Sequence, residues 1–120
     1  MFQTQSGDYN AAFAEQSEDQ GSSSLQSQSG TLNDGASIQL LGSGSTSTQT
    51  QNGAENLALT WQEEQQQSNA AITQSGTAND ASVVQSLGNG NDAQIVQSGD
   101  DNFAGTSQQF EDGSSIYLQQ

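Results

Sequence analysis

Six glutamines, Gln5, Gln28, Gln51, Gln74, Gln97 and Gln120, stand 23 residues apart in a chain of 120. Four more columns keep the same step. Gly7, Gly30, Gly53, Gly76 and Gly99 follow the first five glutamines by two places. Asn10, Asn33, Asn56, Asn79 and Asn102 follow by five, and Gln16, Gln39, Gln62, Gln85 and Gln108 by eleven. A small residue fills the column of Ala12, Gly35, Ala58, Ala81 and Ala104. No insertion or deletion breaks the phase. A fixed period of this length marks a repeat architecture, in which each unit buries its inner face only by stacking on the next.

Composition alone points elsewhere. Hydrophobic residues make up 29% of the chain and mean hydropathy is −0.74, as in disordered or low-complexity segments. Random low complexity does not align several columns in one phase, so disorder remains an option only for the free monomer.

The missing residue types restrict the chemistry. The chain has no cysteine, histidine, lysine, arginine or proline. Zinc, haem and iron–sulfur sites lose their usual ligands, and thiol nucleophiles and Ser-His-Asp triads are excluded. No cation is present to neutralise phosphates, so nucleic acid is not an expected partner. The paired-carboxylate chemistry of glycosidases is not expected either, because no acidic pair recurs in a cleft-forming context. The reading is non-enzymatic, with no cofactor and no metal site. No apolar run is long enough to cross a membrane and no signal-peptide core is visible; a secreted chain would have had its signal removed.

Each period holds two seven-residue arms. The first read SSSLQSQ, STSTQTQ, SNAAITQ, NDAQIVQ and SSIYLQQ; the second read NAAFAEQ, NDGASIQ, NLALTWQ, NDASVVQ and NFAGTSQ. The repeated residue types fall at alternate positions, which is the period of a β-strand. The repeating face is read as the inside and the variable face as the outside. Gly7, Gly30, Gly53, Gly76 and Gly99 are expected where the first link needs positive φ. Gly21, Gly44, Gly90 and Gly113 serve the second link, where Gln67 is the exception. The sequence predicts an all-β fold. It is a β-solenoid of 23-residue strand-turn-strand-turn rungs, forming two facing parallel cross-β sheets and stacking head-to-tail into a filament. One domain covers residues 1–120, with repeats at about 1–21, 22–44, 45–67, 68–90, 91–113 and a half-repeat at 114–120.

Inward amides are affordable only if hydrogen-bonded. A column of identical amides meets that demand along the stacking axis. The glutamine columns at Gln5–Gln120 and Gln16–Gln108 and the asparagine column Asn10–Asn102 are therefore the expected inward ladders, and they fix register. Ile72, Val83, Ile95, Ile116 and Leu118 thicken the interior toward the C-terminus. Gln3, Gln26 and Gln49 hold the matching N-terminal column, so that end is expected to be the less stable. Outward, Leu57, Leu59, Trp61 and Phe103, with the column Ile38, Trp61 and Val84, form an apolar patch, read either as an interaction site or as cross-strand packing along one filament.

The skeleton Ser-x5-Gln-x-Gly-x2-Asn-x-Ala-x3-Gln resembles the curlin repeat over essentially the whole chain. That family comprises subunits of curli, the bacterial extracellular functional amyloid. The resemblance implies secretion as an unfolded chain through a secretion channel with a chaperone, templating by a nucleator subunit, and a cell-surface homopolymer with a biofilm role. The absence of basic residues favours a major subunit over a nucleator. Gly35, standing in the alanine column, departs from the pattern, as does the lack of a Gly-rich N-terminal segment. The alternative reading is a soluble β-solenoid binding module, of ice-binding or adhesin type. It is weakened because the outward column Thr4, Thr50 and Thr73 is interrupted by Ser27, Val96 and Gln119.

The motif runs from Gln5 to Gln120 with no distinct cap, so head-to-tail pairing of Ser114–Gln120 with Met1–Gln5 of a next copy is expected. Fourteen carboxylates over roughly 24 Å give about one charge per 1.7 Å, close to duplex DNA. Within the chain they mostly avoid adjacent rungs. At a junction Glu111 would meet Asp19, and Asp100 would meet Asp8. Salt, low pH or Ca²⁺ is expected to speed assembly.

Overall fold

The computed structural model describes every residue except Asp19 and Glu111. Eleven strands alternate between two sheets. The first arms supply β1 (Phe2–Asp8), β3 (Ser23–Thr31), β5 (Thr46–Ala54), β7 (Asn69–Thr77), β9 (Asp92–Asp100) and β11 (Ser115–Gln119). They lie side by side in that order as one six-stranded sheet. The second arms supply β2 (Ala11–Ser17), β4 (Asp34–Leu40), β6 (Leu57–Gln66), β8 (Asp80–Asn89) and β10 (Phe103–Gln109), a five-stranded sheet. Every neighbouring pair is parallel, and Cα partners differ by 23 throughout: Gln28 faces Gln51 and Gln51 faces Gln74, as Gln39 faces Gln62 and Gln62 faces Gln85. The predicted β-solenoid is the fold of the protein.

The molecule is a slab of 35 × 26 × 12 Å. Its thickness is that of two sheets packed face to face at about 10 Å. The strands form because alternate residues are buried: in β6, Ala58, Thr60, Gln62 and Gln65 point inward while Leu57, Leu59, Trp61 and Glu63 do not. Parallel pairing needs a crossover, and here the crossover is the opposite strand of the same rung.

The interior changes character along the axis. The apolar core consists of Ala58, Ala70, Ile72, Ala81, Val83, Ala93, Ile95 and Ala104, with Leu118 packed against it. Toward the N-terminus the same columns hold Ser24, Gln26, Ser37, Ser47, Gln49 and Thr60, all buried. Two corners close each rung. Between first and second arms, Tyr9, Leu32, Glu55, Ala78 and Asp101 adopt left-handed φ of 57–58°. Between second arm and next rung, Glu18, Leu41, Glu64, Leu87 and Phe110 do the same at 50–58°. A non-glycine residue there costs about 1–2 kcal/mol. Backbone bonds to the neighbouring rung offset it, as in Leu32 N–H donating to Asp8 O at 3.0 Å and Glu55 N–H to Thr31 O at 3.0 Å.

Candidate functional site

The candidate site is the stacking surface itself, assembled from the columns. In the first glutamine column each Nε2 donates to the Oε1 of the following rung: Gln5 to Gln28 at 2.8 Å, Gln28 to Gln51 at 2.8 Å, Gln51 to Gln74 at 3.1 Å, Gln74 to Gln97 and Gln97 to Gln120 at 3.0 Å. The same Nε2 also reaches backbone carbonyls of the opposite sheet: Gln51 donates to Asp34 O at 2.8 Å and Asn56 O at 2.9 Å. This column therefore ties rung to rung and sheet to sheet. The second glutamine column runs in the same sense, Gln16 to Gln39 at 2.6 Å, Gln39 to Gln62 and Gln62 to Gln85 at 2.8 Å, and Gln85 to Gln108 at 2.7 Å.

The asparagine column has the opposite sense. Asn33 Nδ2 donates back to Asn10 Oδ1 at 3.1 Å, and Asn56, Asn79 and Asn102 donate back to Asn33, Asn56 and Asn79 at 2.9 Å. The same oxygens accept backbone N–H groups, as Asn10 Oδ1 does from Asn33 at 3.0 Å. Each asparagine also braces its corner: Asn33 Nδ2 reaches Ser29 O and Gly53 O at 3.1 Å. A left-handed corner residue leaves backbone groups needing such partners, and a short amide fits there where glutamine would overshoot.

A serine column repeats this device at the other corner. Ser22 Oγ accepts Ser45 N–H at 2.9 Å, Ser45 Oγ accepts Ser68 N–H at 3.3 Å, Ser68 Oγ accepts Asn91 N–H at 3.1 Å, and Asn91 Oδ1 accepts Ser114 N–H at 3.1 Å. Sequence reasoning placed these residues in the skeleton without giving them a role. Their constant position six residues before each glutamine was the available signal.

The glycines lie within the strand ends rather than at the corner apex; Gly30 is in β3 and Gly53 in β5. Their φ values are positive, 112° and 119°. The closer reason for glycine is the neighbouring rung. A Cβ on Gly53 would stand 2.0 Å from Gly76 O, and one on Gly30 would stand 1.9 Å from Gly53 O. Gly7 and Gly76 meet the same obstruction, whereas Gly99 has only the Asn102 side chain nearby at 3.6 Å. The left-handed apex residues could not be named from the sequence, because they vary from tyrosine to alanine. Gln65 was missed too. It is buried at the second corner, and with its amide oxygen turned toward β8 it accepts from Ser86 at 3.2 Å and from Leu87 and Gly88 at 3.0 Å.

The outer apolar residues share the second-arm sheet. Ile38, Trp61 and Val84 are successive Cα partners, as are Asp34, Leu57, Asp80 and Phe103. Leu59 lies between those columns on β6. Leu57 and Phe103 are exposed; Phe103 sits two rungs from Leu57 and apart from the group around Trp61. Among the described residues, no three acidic side chains gather as a metal site, and no helix is long and apolar enough to cross a membrane. The expected junction residues Glu111 and Asp19 lie outside the described residues. Asp8 of a copy seated on β11 would stand two rungs from Asp100, not one, because β11 occupies the rung after β9.

No curated protein matches the chain. The family model described as the curlin associated repeat matches residues 68–99. That segment holds Gln74, Gly76, Asn79, Ala81, Gln85, Gln97 and Gly99, and the rungs around it repeat the same columns in unbroken register. Residues 68–99 are thus similar to the curlin associated repeat.

Proposed function

We propose that the protein is the fibre-forming structural subunit of a curli-like extracellular amyloid, with a role in the biofilm matrix and adhesion. The observation that carries this reading is the equivalence of the rungs. The Cα register and the sense of the amide ladders are the same across every pairing, so a rung of one copy is a fitting neighbour for a rung of the next. Such a contact is heterologous and does not close, and repeated addition gives a filament. Within each copy the interior of the filament would be the interior already built; at the junction β11 carries the contact, and the five-stranded sheet has no strand opposite it. In this reading the chain reaches the cell surface through a secretion channel with a chaperone and is templated by a nucleator subunit. The carboxylates then act on rate: salt or Ca²⁺ lowers the repulsion between incoming and seated copies.

The test is to dilute the purified chain out of denaturant without seed, then to pellet it and record fibre diffraction. Pelletable fibres with a meridional reflection near ~4.8 Å and an equatorial one near ~10 Å are expected. A monomer that stays in solution with full β-structure would sink the proposal in favour of a binding module.

A further inference from the structure

The two broad faces of the slab differ in chemistry. On the first-arm sheet the central outward row is Thr46, Thr48, Thr50 and Asn52. On the second-arm sheet the corresponding row, on β6, is Leu57, Leu59, Trp61 and Glu63. Ile38 and Val84 stand beside Trp61 on the rungs either side. Carboxylates bound the row at both ends. Asp34 and Asp80 flank Leu57 on the adjacent rungs, and Glu63 closes the far end, 3.5 Å from the Trp61 indole N–H. From Leu57 to Glu63 is roughly 20 Å of extended chain.

We infer that this face docks a cationic amphipathic peptide segment of a partner protein, with apolar side chains over Leu59 and Trp61 and a basic group at each end. Charge decides among the occupants. The chain carries a net charge of −14 and no lysine, arginine or histidine. A second copy laid on this face brings Asp34, Asp80 and Glu63 against their own kind with no basic side chain to pair them, which is costly on desolvation. An anionic lipid surface is repelled for the same reason. A segment with basic ends and an apolar middle satisfies both parts of the patch. The inference concerns the side of the solenoid and holds whether or not the chain forms fibres.

Trp61 is the only tryptophan and lies inside the patch, so it reports on occupancy. The probe is a synthetic seven-residue peptide with lysine at each end and leucines at alternate positions between, titrated into the full chain. Saturable binding with a blue shift of Trp61 emission is expected, weakening as salt rises. Leu59→Ser with Ile38→Ser weakens it about tenfold, with the inward ladders untouched. Asp34→Asn with Asp80→Asn, which preserves shape, weakens it severalfold. Thr50→Ala on the opposite face leaves it unchanged. Equal binding of a peptide with glutamate for lysine, or with serine for leucine, overturns the proposal. So does equal loss in the Thr50 variant, or a concentration-dependent blue shift without peptide that Leu59→Ser with Ile38→Ser abolishes while the yield of pelletable protein is unchanged, which would assign the face to a second copy.

Discussion

The N-terminal and C-terminal rungs have one backbone and two interiors. In the rungs of β3 to β6, Ser47 Oγ lies 2.8 Å from Ser37 Oγ and 2.6 Å from Thr60 Oγ1, and Gln26 donates to Gln49 at 2.9 Å. In the rungs of β7 to β10 the same inward positions are Ala70, Ile72, Val83, Ala93 and Ile95, fully buried, with Thr106 on β10 the one polar side chain among them. The Gln74 and Gln85 ladders run through both halves without change of partner type. The fold therefore resides in the shared columns, and the positions between them are free to be polar or apolar. The two interiors contribute different things. Apolar burial contributes stability in proportion to area and tolerates sliding. A hydroxyl–amide interior contributes less per contact but requires every inward polar group to find a partner.

The largest effect is expected where the halves are alike. Gly30→Ala and Gly76→Ala each drive a Cβ to about 2 Å from a backbone oxygen of the next rung, where no side chain can give way. Adding the strain of positive φ, each costs about 4 kcal/mol or more, in the polar half and the apolar half equally. Denaturant unfolding of both variants checks this. A Gly30 variant markedly milder than the Gly76 variant would mean that the N-terminal rungs are too loosely stacked to resist the methyl. Gly99→Ala is the internal control, since nothing but a flexible amide stands near its Cβ.

The next effect separates the halves. Ile95 is fully buried between Ile72 and Leu118 in the register of the first-arm sheet. Ile95→Ala is expected to cost about 3 kcal/mol through lost burial and the cavity left behind. Ser47→Ala, in the polar half, removes one hydroxyl between Ser37 and Thr60, which can still approach one another. Its cost is about 1 kcal/mol. Equal costs in unfolding experiments would deny that the interior changes character along the axis.

Much of this was legible in the sequence because a stacked solenoid writes its contacts at constant spacing. Gln28, Gln51 and Gln74 are neighbours in space because they are 23 apart in the chain, and the same arithmetic gave strands, sheets and register. What stayed hidden is what does not repeat as a residue type. The left-handed corners are occupied by Tyr9, Leu32 and Ala78 alike, since the backbone conformation is imposed by neighbouring rungs. The sense of the ladders was hidden as well: glutamine donates forward and asparagine back, and that depends on which corner carbonyls each amide can reach. The glycine column was visible, but the backbone oxygen that excludes a methyl there belongs to another rung. The outer patch was visible as residues, and its bordering by Asp34, Asp80 and Glu63 emerges only once β4, β6 and β8 lie side by side.

The smallest effect is the most discriminating. Replacing both Gln26 and Gln49 by isoleucine extends the column of Ile72, Ile95 and Leu118 through the polar half. The amide pair disappears together, so no buried partner in that pair is orphaned. Gln3, which donates to Gln26 at 2.8 Å, is exposed and can turn to water. Gln26 also donates to Phe13 O at 2.7 Å and Gly35 O at 3.2 Å, and Gln49 to Ala36 O at 2.6 Å and Thr60 Oγ1 at 3.2 Å; losing those bonds is set against the added apolar burial. Stability is expected to change by less than about 1 kcal/mol. Register should be sharpened rather than loosened. A two-residue slip keeps every side chain on its own face, and in the native chain it sets Gln28 against Gln49, so one amide pair survives it. With Gln26 and Gln49 made aliphatic, the slip sets the Gln28 amide against isoleucine and no amide pair supports it. The chain has no cysteine, so paired cysteines report register cleanly. Ser27→Cys with Thr50→Cys reads the native pairing, and Ser27→Cys with Thr48→Cys reads the slipped one. Any slipped cross-link should be lower in the isoleucine variant than in the chain that keeps Gln26 and Gln49. If stability instead falls by more than about 2 kcal/mol, the buried amides of the N-terminal rungs are contributors to stability in their own right, and the division of labour between the two interiors is wrong.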